Sequence, residues 1–335
     1  MVDSLSILRT FFMHLADDIK VLAYYAFTKV DDPQKVIKEH KSFLEEMDAR
    51  GRIYISEEGI NAQCSVSKEN LENYRAFVLK NFPSADIKIH DHPVHPFAKL
   101  IVKYRRQLVA MDREVDSSLQ GVHLEAAEWE KMIKEKDDNT IVIDTRNDYE
   151  WKVGHFEGAL LPELDQFREF PEYAEKLKER YDTDQTKVMM YCTGGIRCEL
   201  YSSLMLKLGF KKVYQLKGGI IRYGLENGNR AWKGKLFVFD DRMVIPISKD
   251  EAKPIAECQF CKKSADSYYN CANMDCNCLI LSCPTCVDEA KGCCSKNCLE
   301  NGRVRPFSLE TVTTPFRKLS FEEKQRLTKK EPVIA

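Results

Sequence analysis

The sequence lacks the features of several specialised protein classes. Its 51 basic and 52 acidic residues give a formal net charge of −1, so it has no global positive charge of the kind that indicates nucleic-acid binding. No apolar run approaches the roughly 18 residues of a membrane-spanning helix. Its 44% hydrophobic content, with only 15 Gly and 12 Pro in 335 residues, excludes a collagen-like or wholly disordered chain. We expect two or three globular domains and no membrane partner.

The N-terminus also lacks a convincing secretion signal. Residues 5–15 are mostly apolar, but Arg9 interrupts them, and Asp17 and Asp18 stand where small residues would precede a cleavage site. The pattern predicts a short amphipathic helix instead. We therefore predict a cytoplasmic protein, whose cysteines are reduced and serve metal binding or chemistry rather than disulfides.

Cysteine is scarce in most of the chain and dense near its end. Ten of the 13 cysteines lie from Cys258 to Cys298, and only Cys64, Cys192 and Cys198 precede them. The isolated pair Cys192 and Cys198 is a candidate for reactivity. The dense cluster is a candidate for architecture.

Residues 20–113 predict an α+β domain. We expect strands at residues 21–27, 52–55, 60–66 and 98–104, and helices at residues 33–47 and 68–80. Pro33 suits the first turn of one helix and Ser67 can cap the other. The order is that of a ferredoxin-like (acylphosphatase-like) β-α-β-β-α-β unit.

Residues 121–246 predict an α/β domain. Short apolar runs at 140–144 and 187–191 are typical of parallel strands that are covered on both faces. Helical patterns at 124–136, 171–180 and 198–208 alternate with them. Residues 247–301 then predict an irregular cysteine-rich module, and residues 1–19 and 302–335 an N-terminal extension and a basic tail.

The sharpest chemical signal is the segment Tyr191-Cys-Thr-Gly-Gly-Ile-Arg-Cys198. A strand delivers Cys192, two glycines permit a tight loop, and a helix starts near Arg197. Such a loop can direct the backbone amides of Thr193, Gly194, Gly195 and Ile196 at an anion. Together with the charge of Arg197 they would favour a thiolate, so we interpret Cys192 as a nucleophile; the alternative is a small buried side chain at an ordinary turn.

The length of this loop indicates which group it can hold. Four residues separate Cys192 from Arg197, one fewer than in cysteine phosphatases, so the ring suits a sulfur atom carried on cysteine better than a phosphate.

Three blocks in this order resemble a rhodanese domain. They are Asp144-Thr-Arg-Asn-Asp-Tyr-Glu-Trp-Lys-Val-Gly-His-Phe-Glu-Gly-Ala159, the loop from Cys192 to Arg197, and Leu216-Lys-Gly-Gly219.

Four segments are similar, more specifically, to the tRNA uridine hydroxylases. They are Arg52-Ile-Tyr-Ile-Ser-Glu-Glu-Gly-Ile-Asn-Ala-Gln63, Val102-Lys-Tyr-Arg-Arg-Gln107, Tyr191-Cys-Thr-Gly-Gly-Ile-Arg-Cys-Glu199 and Phe237-Val-Phe-Asp-Asp-Arg242. The resemblance implies hydroxylation of uridine 34 in tRNA to 5-hydroxyuridine with molecular oxygen. It implies that Cys192 is the active-site residue, a persulfide carrier by analogy with rhodaneses, and that Cys198 is a second family cysteine.

Several nearby residues are candidates for supporting roles. Asp144 and Arg146 end a strand, and we interpret them as a structural ion pair beneath the loop. We interpret Glu199 as a partner of the helix dipole and expect Cys198 to point away from the loop. No Gly-rich flavin or nucleotide motif is present, and we interpret His155 as structural rather than as an iron ligand.

A local basic stretch is the candidate tRNA surface. It contains six basic residues and only two acidic ones, and the ring of Tyr104 is available to stack on a base. The basic residues are Lys88, Lys99, Lys103, Arg105, Arg106 and Arg113, and the acidic ones are Asp91 and Asp112. A solvated strand face is the alternative, and the family resemblance favours tRNA contacts by Lys103, Arg105 and Arg106.

The cysteine cluster predicts structural zinc. Two Cys-x2-Cys pairs lie in a stretch with few apolar residues, and zinc bound by thiolates can replace a hydrophobic core. Eight cysteines would fill two four-thiolate sites and leave two free, with disulfides as the alternative. The candidate ligands are Cys258, Cys261, Cys271, Cys276, Cys278, Cys283, Cys286, Cys293, Cys294 and Cys298.

Three functions are compatible with these features. The leading hypothesis is an oxygen-dependent tRNA uridine hydroxylase. A persulfide sulfurtransferase that uses the same Cys192 is the second, and a non-catalytic rhodanese and zinc scaffold is the third. The product separates them, because the first adds oxygen to tRNA, the second adds sulfur and the third adds neither.

Overall fold

The computed structural model describes residues 18–111 and 119–309. The amphipathic helix predicted at the N-terminus, Arg113 and nearly all of the basic tail lie outside these ranges. The described residues form two compact units, one of residues 18–111, 119–147 and 162–227, the other of residues 148–161 and 228–309. Among them, no helix has the length and apolar character needed to cross a bilayer.

The N-terminal domain is a five-stranded sheet with two helices. Its elements are β1 (Ile19–Phe27), α1 (Pro33–Glu45), β2 (Arg50–Ser56), β3 (Gly59–Ser67), α2 (Leu71–Asn81), β4 (Lys88–His92) and β5 (Leu100–Tyr104). The sheet order is β4-β1-β3-β2-β5. All pairs are antiparallel except β2 with β5.

Two details of this domain differ from the sequence prediction. The fourth ferredoxin-like strand is β4, which the apolar pattern does not predict because Ile89 is its only strongly apolar residue. The predicted strand at 98–104 is instead an additional edge strand, β5. The cap assigned to Ser67 is also wrong, because its side chain makes no capping bond and a 3₁₀ turn, Lys68–Asn70, precedes α2.

The start of α1 follows from its sequence. Asp32 Oδ1 accepts a hydrogen bond from the backbone N–H of Lys35 at 3.0 Å, and Pro33 occupies the first turn. Alternate residues of the strands, among them Leu22 and Ile53, are fully buried under the helices.

The rest of the first unit is a four-stranded parallel sheet with helices. Its elements are β6 (Val122–Leu124), α3 (Ala126–Lys134), β7 (Thr140–Asp144), α5 (Phe170–Arg180), β9 (Lys187–Tyr191), α6 (Ile196–Lys207), β10 (Lys212–Leu216) and α7 (Gly219–Asn227). The order is β6-β10-β9-β7, with every pair parallel. β7 and β9 coincide with the predicted strands, and their carboxyl ends meet at one edge, where Asp144 pairs with Tyr191.

The second unit is built from short elements. They are α4 (Asp148–Trp151), β8 (Gly154–Phe156), β11 (Trp232–Gly234), β12 (Leu236–Phe237), β13 (Val244–Ile245), β14 (Ala256–Glu257), β15 (Ser264–Ala265), β16 (Tyr268–Asn270), β17 (Leu279–Leu281), α8 (Pro284–Glu289) and α9 (Lys296–Glu300). The strands form two-stranded pairs, such as β16 with β17. Around the cysteines the buried cluster is small and itself includes Cys271 and Cys293.

Candidate active site

Cys192 lies at the end of a buried parallel strand, in the loop that joins β9 to α6. Its neighbours Met190 and Tyr191 are fully buried, and Cys192 is only 1% exposed. Open α/β sheets bind ligands at the carboxyl ends of their strands, and Cys192 lies at such a strand end. Gly195 caps α6 with a left-handed backbone, φ 103°, which favours glycine.

The loop directs backbone amides at the sulfur atom of Cys192. The N–H of Gly195 donates to Cys192 Sγ at 3.2 Å, and the N–H of Arg197 donates to it as well. Convergent amides at a helix N-terminus make a site for an anion. Here that anion is the thiolate itself.

The side chains of the loop surround this site. Thr193 is buried and its hydroxyl accepts a hydrogen bond from Arg197 Nη2 at 3.3 Å. The guanidinium of Arg197 lies 5.9 Å from the ring centroid of Phe167. Gly194 is half-buried with open space where a Cβ would stand, and Ile196 begins α6.

Cys198 does not point away from the loop, so that expectation is wrong. Its thiol is fully buried and hydrogen-bonded to Cys192, with Thr145 Oγ1 3.6 Å from its sulfur. One helical turn places residues 195 and 198 above each other, and the side chain of Cys198 therefore returns towards the start of α6.

Opposing effects set the protonation of the two thiols. Burial by itself raises the pKa of Cys192, but the hydrogen bond from Cys198, the charge of Arg197 and the loop amides lower it overall. Burial and the hydrogen bond to Cys192 raise the pKa of Cys198. Cys192 is thus the thiolate of the pair and Cys198 is its proton-bearing donor.

Asp144 and Arg146 form a buried ion pair at the end of β7. Arg146 Nη2 and Nε donate to the two carboxylate oxygens of Asp144 at 2.7 and 2.9 Å, and both side chains are fully buried. The guanidinium also lies 5.9 Å from the ring centroid of Tyr191, next to Cys192. This bidentate geometry suits a structural support of the strand ends.

The carboxylate of Glu199 has three hydrogen-bond donors in addition to the helix dipole. Its carboxylate accepts hydrogen bonds from Tyr25 Oη at 2.7 Å, from His123 Nε2 at 3.0 Å and from Gln215 Nε2 at 3.3 Å. Burial by itself raises the pKa of Glu199, but these bonds lower it overall. Sequence reasoning missed Tyr25 because 174 residues separate it from Glu199.

Eight of the ten clustered cysteines form two groups of four. In each group, the four sulfur atoms lie within 4.8 Å of one another. The first quartet is Cys258, Cys261, Cys283 and Cys286, and the second quartet is Cys271, Cys276, Cys294 and Cys298. Cys278 and Cys293 belong to neither group.

The sulfur separations fit a bound metal ion rather than disulfides. Four thiolates at about 2.3 Å from a tetrahedral zinc ion stand about 3.8 Å apart, whereas a disulfide requires about 2.05 Å. The observed separations are 3.8 Å between Cys261 and Cys283, and 3.7 and 3.5 Å from Cys294 to Cys276 and Cys298. Both quartets could therefore hold a metal ion.

The predicted tRNA-binding residues lie at the opposite edge of the N-terminal sheet from β4. Lys103, Arg105 and Arg106 are exposed, on β5 and just after it. The guanidinium of Arg105 lies 5.0 Å from the ring centroid of Tyr54. Lys88 is not on this surface, contrary to the sequence interpretation, because its side chain is 3% exposed.

We predict that Cys192 titrates as a thiolate at a pH where Cys64 stays protonated. Burial raises the pKa of Cys64 to about 12, whereas the loop lowers that of Cys192. The measurement is the thiolate ultraviolet absorbance against pH, as the difference between the protein and its Cys192→Ser variant. Cys198→Ala should shift this titration upwards and Cys198→Ser, which keeps a donor, should shift it less. A titration near the pH of about 8.5 typical of free cysteine would contradict the assignment.

Comparison with known proteins identifies the three regions of the chain. Family models match residues 19–108 (UPF0176 acylphosphatase like domain), 125–224 (Rhodanese-like domain) and 233–299 (Rhodanase C-terminal). These matches confirm the predicted fold class: an α+β ferredoxin-like domain, an α/β rhodanese domain and a cysteine-rich C-terminal region.

Relatives named tRNA uridine(34) hydroxylase match nearly the whole chain. The protein from Protochlamydia amoebophila is 51% identical over 313 residues, which cover 93% of this chain and 98% of that protein. The protein from Chlamydia felis is 50% identical over 302 residues, covering 89% and 92%. That from Chlamydia trachomatis serovar D is 50% identical over 301 residues, covering 89% and 91%. The resemblance inferred from the motifs is thus confirmed, and the chain belongs to the tRNA uridine(34) hydroxylase family.

Proposed function

We propose that this protein hydroxylates uridine 34 of tRNA to 5-hydroxyuridine, with molecular oxygen as co-substrate and Cys192 as the active-site residue. The observation that carries the proposal is a stabilised thiolate at Cys192 in a chain about half identical to tRNA uridine(34) hydroxylases. A tRNA substrate is consistent with the cytoplasmic location predicted from the sequence.

The role that we assign to Cys192 is that of a nucleophile. In uracil, C6 is the electrophilic end of a double bond conjugated with a carbonyl group. A sulfur atom bonded to C6 raises the electron density at C5, which then bonds to molecular oxygen. One oxygen atom stays on C5, and the other leaves as water with two electrons and two protons from an external reductant. Loss of the C5 proton then expels the Cys192 thiolate and restores the double bond. Arg197 and the loop amides keep the sulfur anionic before attack, and Cys198 donates the hydrogen bond that favours the thiolate.

A persulfide sulfurtransferase remains the second candidate because it would use the same loop. Two features of the site suit a persulfide on Cys192. The pKa of the Cys192 thiol is lowered, and the loop has four residues between Cys192 and Arg197. The product distinguishes the two candidates, since thiolation and hydroxylation of uridine change its mass differently.

We predict that Cys192→Ser folds normally and abolishes 5-hydroxyuridine, because serine keeps the size but not the anionic nucleophile. The measurement is mass spectrometry of tRNA nucleosides from cells that lack the gene and carry each variant. Cys64→Ser, at a buried cysteine outside the loop, is the matched control and should retain the product. Full levels of 5-hydroxyuridine with Cys192→Ser would leave the rhodanese domain as a scaffold, and a sulfur-containing uridine would favour the sulfurtransferase.

For tRNA we propose a binding surface at β5 that includes Lys103, Arg105 and Arg106. Four strand spacings of about 4.8 Å separate β5 from β4, about 19 Å across the sheet. β4 carries Lys88, which touches the Cys192 loop at Gly194. A tRNA arm is large enough to contact phosphate-binding side chains at one edge while a base reaches the other.

We predict that replacing Lys103, Arg105 and Arg106 with alanine weakens tRNA binding and flattens its salt dependence. Each lost phosphate contact should lower the slope of log K against log salt by about 1, which binding titrations at several salt concentrations measure. The control replaces Lys35, Lys38 and Lys41, three exposed lysines of α1 in the same domain, and changes net charge equally. An equal loss in both triple variants would point to net charge rather than to this surface.

For the cysteine quartets we propose two structural zinc ions. Tetrathiolate sites stabilise small domains whose apolar cores are insufficient. Zinc would be held by Cys258, Cys261, Cys283 and Cys286 in the first quartet and by Cys271, Cys276, Cys294 and Cys298 in the second.

We predict two zinc ions per chain, one for each quartet, and the loss of one in Cys261→Ser and in Cys276→Ser. Cys278→Ser, at an exposed cysteine outside both quartets, should keep both ions. Elemental analysis of the purified variants gives the stoichiometry. Strong chelation should also expose the region after residue 246 to protease, and metal-free protein with disulfides would refute the assignment.

A further inference from the structure

Three consecutive backbone carbonyl groups of the active-site loop accept hydrogen bonds from residues outside the loop. The N–H of Ile220 donates to the carbonyl of Cys192 at 3.0 Å, and that of Ile221 to Thr193 at 3.1 Å. Both donors belong to the first turn of α7. The third carbonyl, of Gly194, accepts a hydrogen bond from Lys88 Nζ at 3.3 Å.

Lys88 reaches this carbonyl from another domain. It begins β4 of the ferredoxin-like sheet, 106 residues before Gly194. Its ammonium is buried, 3.2 Å from Asp86 Oδ2 and 5.1 Å from the ring centroid of Tyr25. Asp86 in turn binds Arg222 of α7. A buried lysine is costly unless paired, and this one is directed at the loop.

The planar peptide between Gly194 and Gly195 connects Lys88 to the reacting sulfur. In a trans peptide the C=O and the N–H point in opposite directions. When Lys88 holds the carbonyl of Gly194, the N–H of Gly195 is turned towards Cys192 Sγ, to which it donates at 3.2 Å.

Tyr25 also packs closely against this peptide, at Gly195. A Cβ at Gly195 would stand 2.8 Å from Tyr25 Oη, and this hydroxyl is held by Glu199 at 2.7 Å. The loop therefore has little room to rotate the peptide once β1 and β4 are in place. Gly194 itself has no side chain that could restrain this peptide.

We propose that Lys88 is a positioning residue for Cys192: by holding the carbonyl of Gly194 it keeps the amide of Gly195 directed at the sulfur atom. The ferredoxin-like domain is then a structural part of the thiolate site as well as a candidate tRNA-binding domain. Only the product measurement below rests on the proposed function; the state of the thiolate does not.

The electrostatics of the site agree with this role. Ionisable groups from several elements surround Lys88 and the loop. They are Tyr25 on β1, Asp86 just before β4, Arg197, Cys198 and Glu199 on α6, and Arg222 on α7. Burial lowers the pKa of Lys88 and Asp86 opposes this effect. A protonated Lys88 strengthens the hydrogen bond to Gly194, since charged donors form bonds about twice as strong as neutral ones.

The test compares Lys88→Met and Lys88→Gln in the full chain. Methionine fills a similar volume without a donor, and Asp86 keeps Arg222 as a partner, so the fold should be retained. Glutamine keeps a neutral donor. The thiolate absorbance, measured against the corresponding Cys192→Ser double variants, should titrate about one pH unit higher in Lys88→Met. Lys88→Gln should shift it less, in the same direction.

Lys20→Met is the matched control. Lys20 is an ion-paired lysine of the same sheet, bonded to Asp91, and its replacement should leave the titration unchanged. With purified enzyme assayed at a pH below the thiolate pKa of the unsubstituted protein, the formation of 5-hydroxyuridine should fall about tenfold in Lys88→Met. An unchanged titration in both Lys88 variants would overturn the proposal. Equal shifts in both would overturn it as well, because they would assign the effect to charge alone.

Discussion

The anionic sulfur of Cys192 is the constraint on which the rest of the active-site region depends. A thiolate that is 1% exposed is stable only where donors replace the water that it has lost. The amides of Gly195 and Arg197 and the thiol of Cys198 supply these bonds. Strand β9 and helix α6 bring them together at one strand end.

The donors converge because the loop is held on its outer side. The first turn of α7 binds two of its carbonyls, and Lys88 binds a third. The close packing of Gly219 belongs to the same arrangement, since a Cβ there would stand 2.6 Å from the carbonyl oxygens of Cys192 and Thr193. The rhodanese block that contains Gly218 and Gly219 thus packs directly against the loop of Cys192.

The C-terminal region is rich in cysteine and has only a small apolar core. Short strands and two short helices surround a small buried cluster around Tyr269 and Ile280, which is little apolar surface for a stable module. Two sets of four sulfur atoms lie at separations that could hold a metal ion, and under the zinc proposal bound metal would supply the missing stability.

Local patterns in the sequence were sufficient for the parallel strands β7 and β9 and for the start of α1 at Asp32 and Pro33. They also single out Cys192 as the candidate nucleophile. Apolar runs, helix caps and a glycine pair depend on neighbours in the chain. The apolar alternation of β4 is too weak to predict a strand. The cysteine spacing does not determine which cysteines lie together. Only the tertiary structure brings Lys88 to Gly194 across 106 residues and Tyr25 to Glu199 across 174. Such contacts are set by strand register and close packing between distant segments, which no local pattern records.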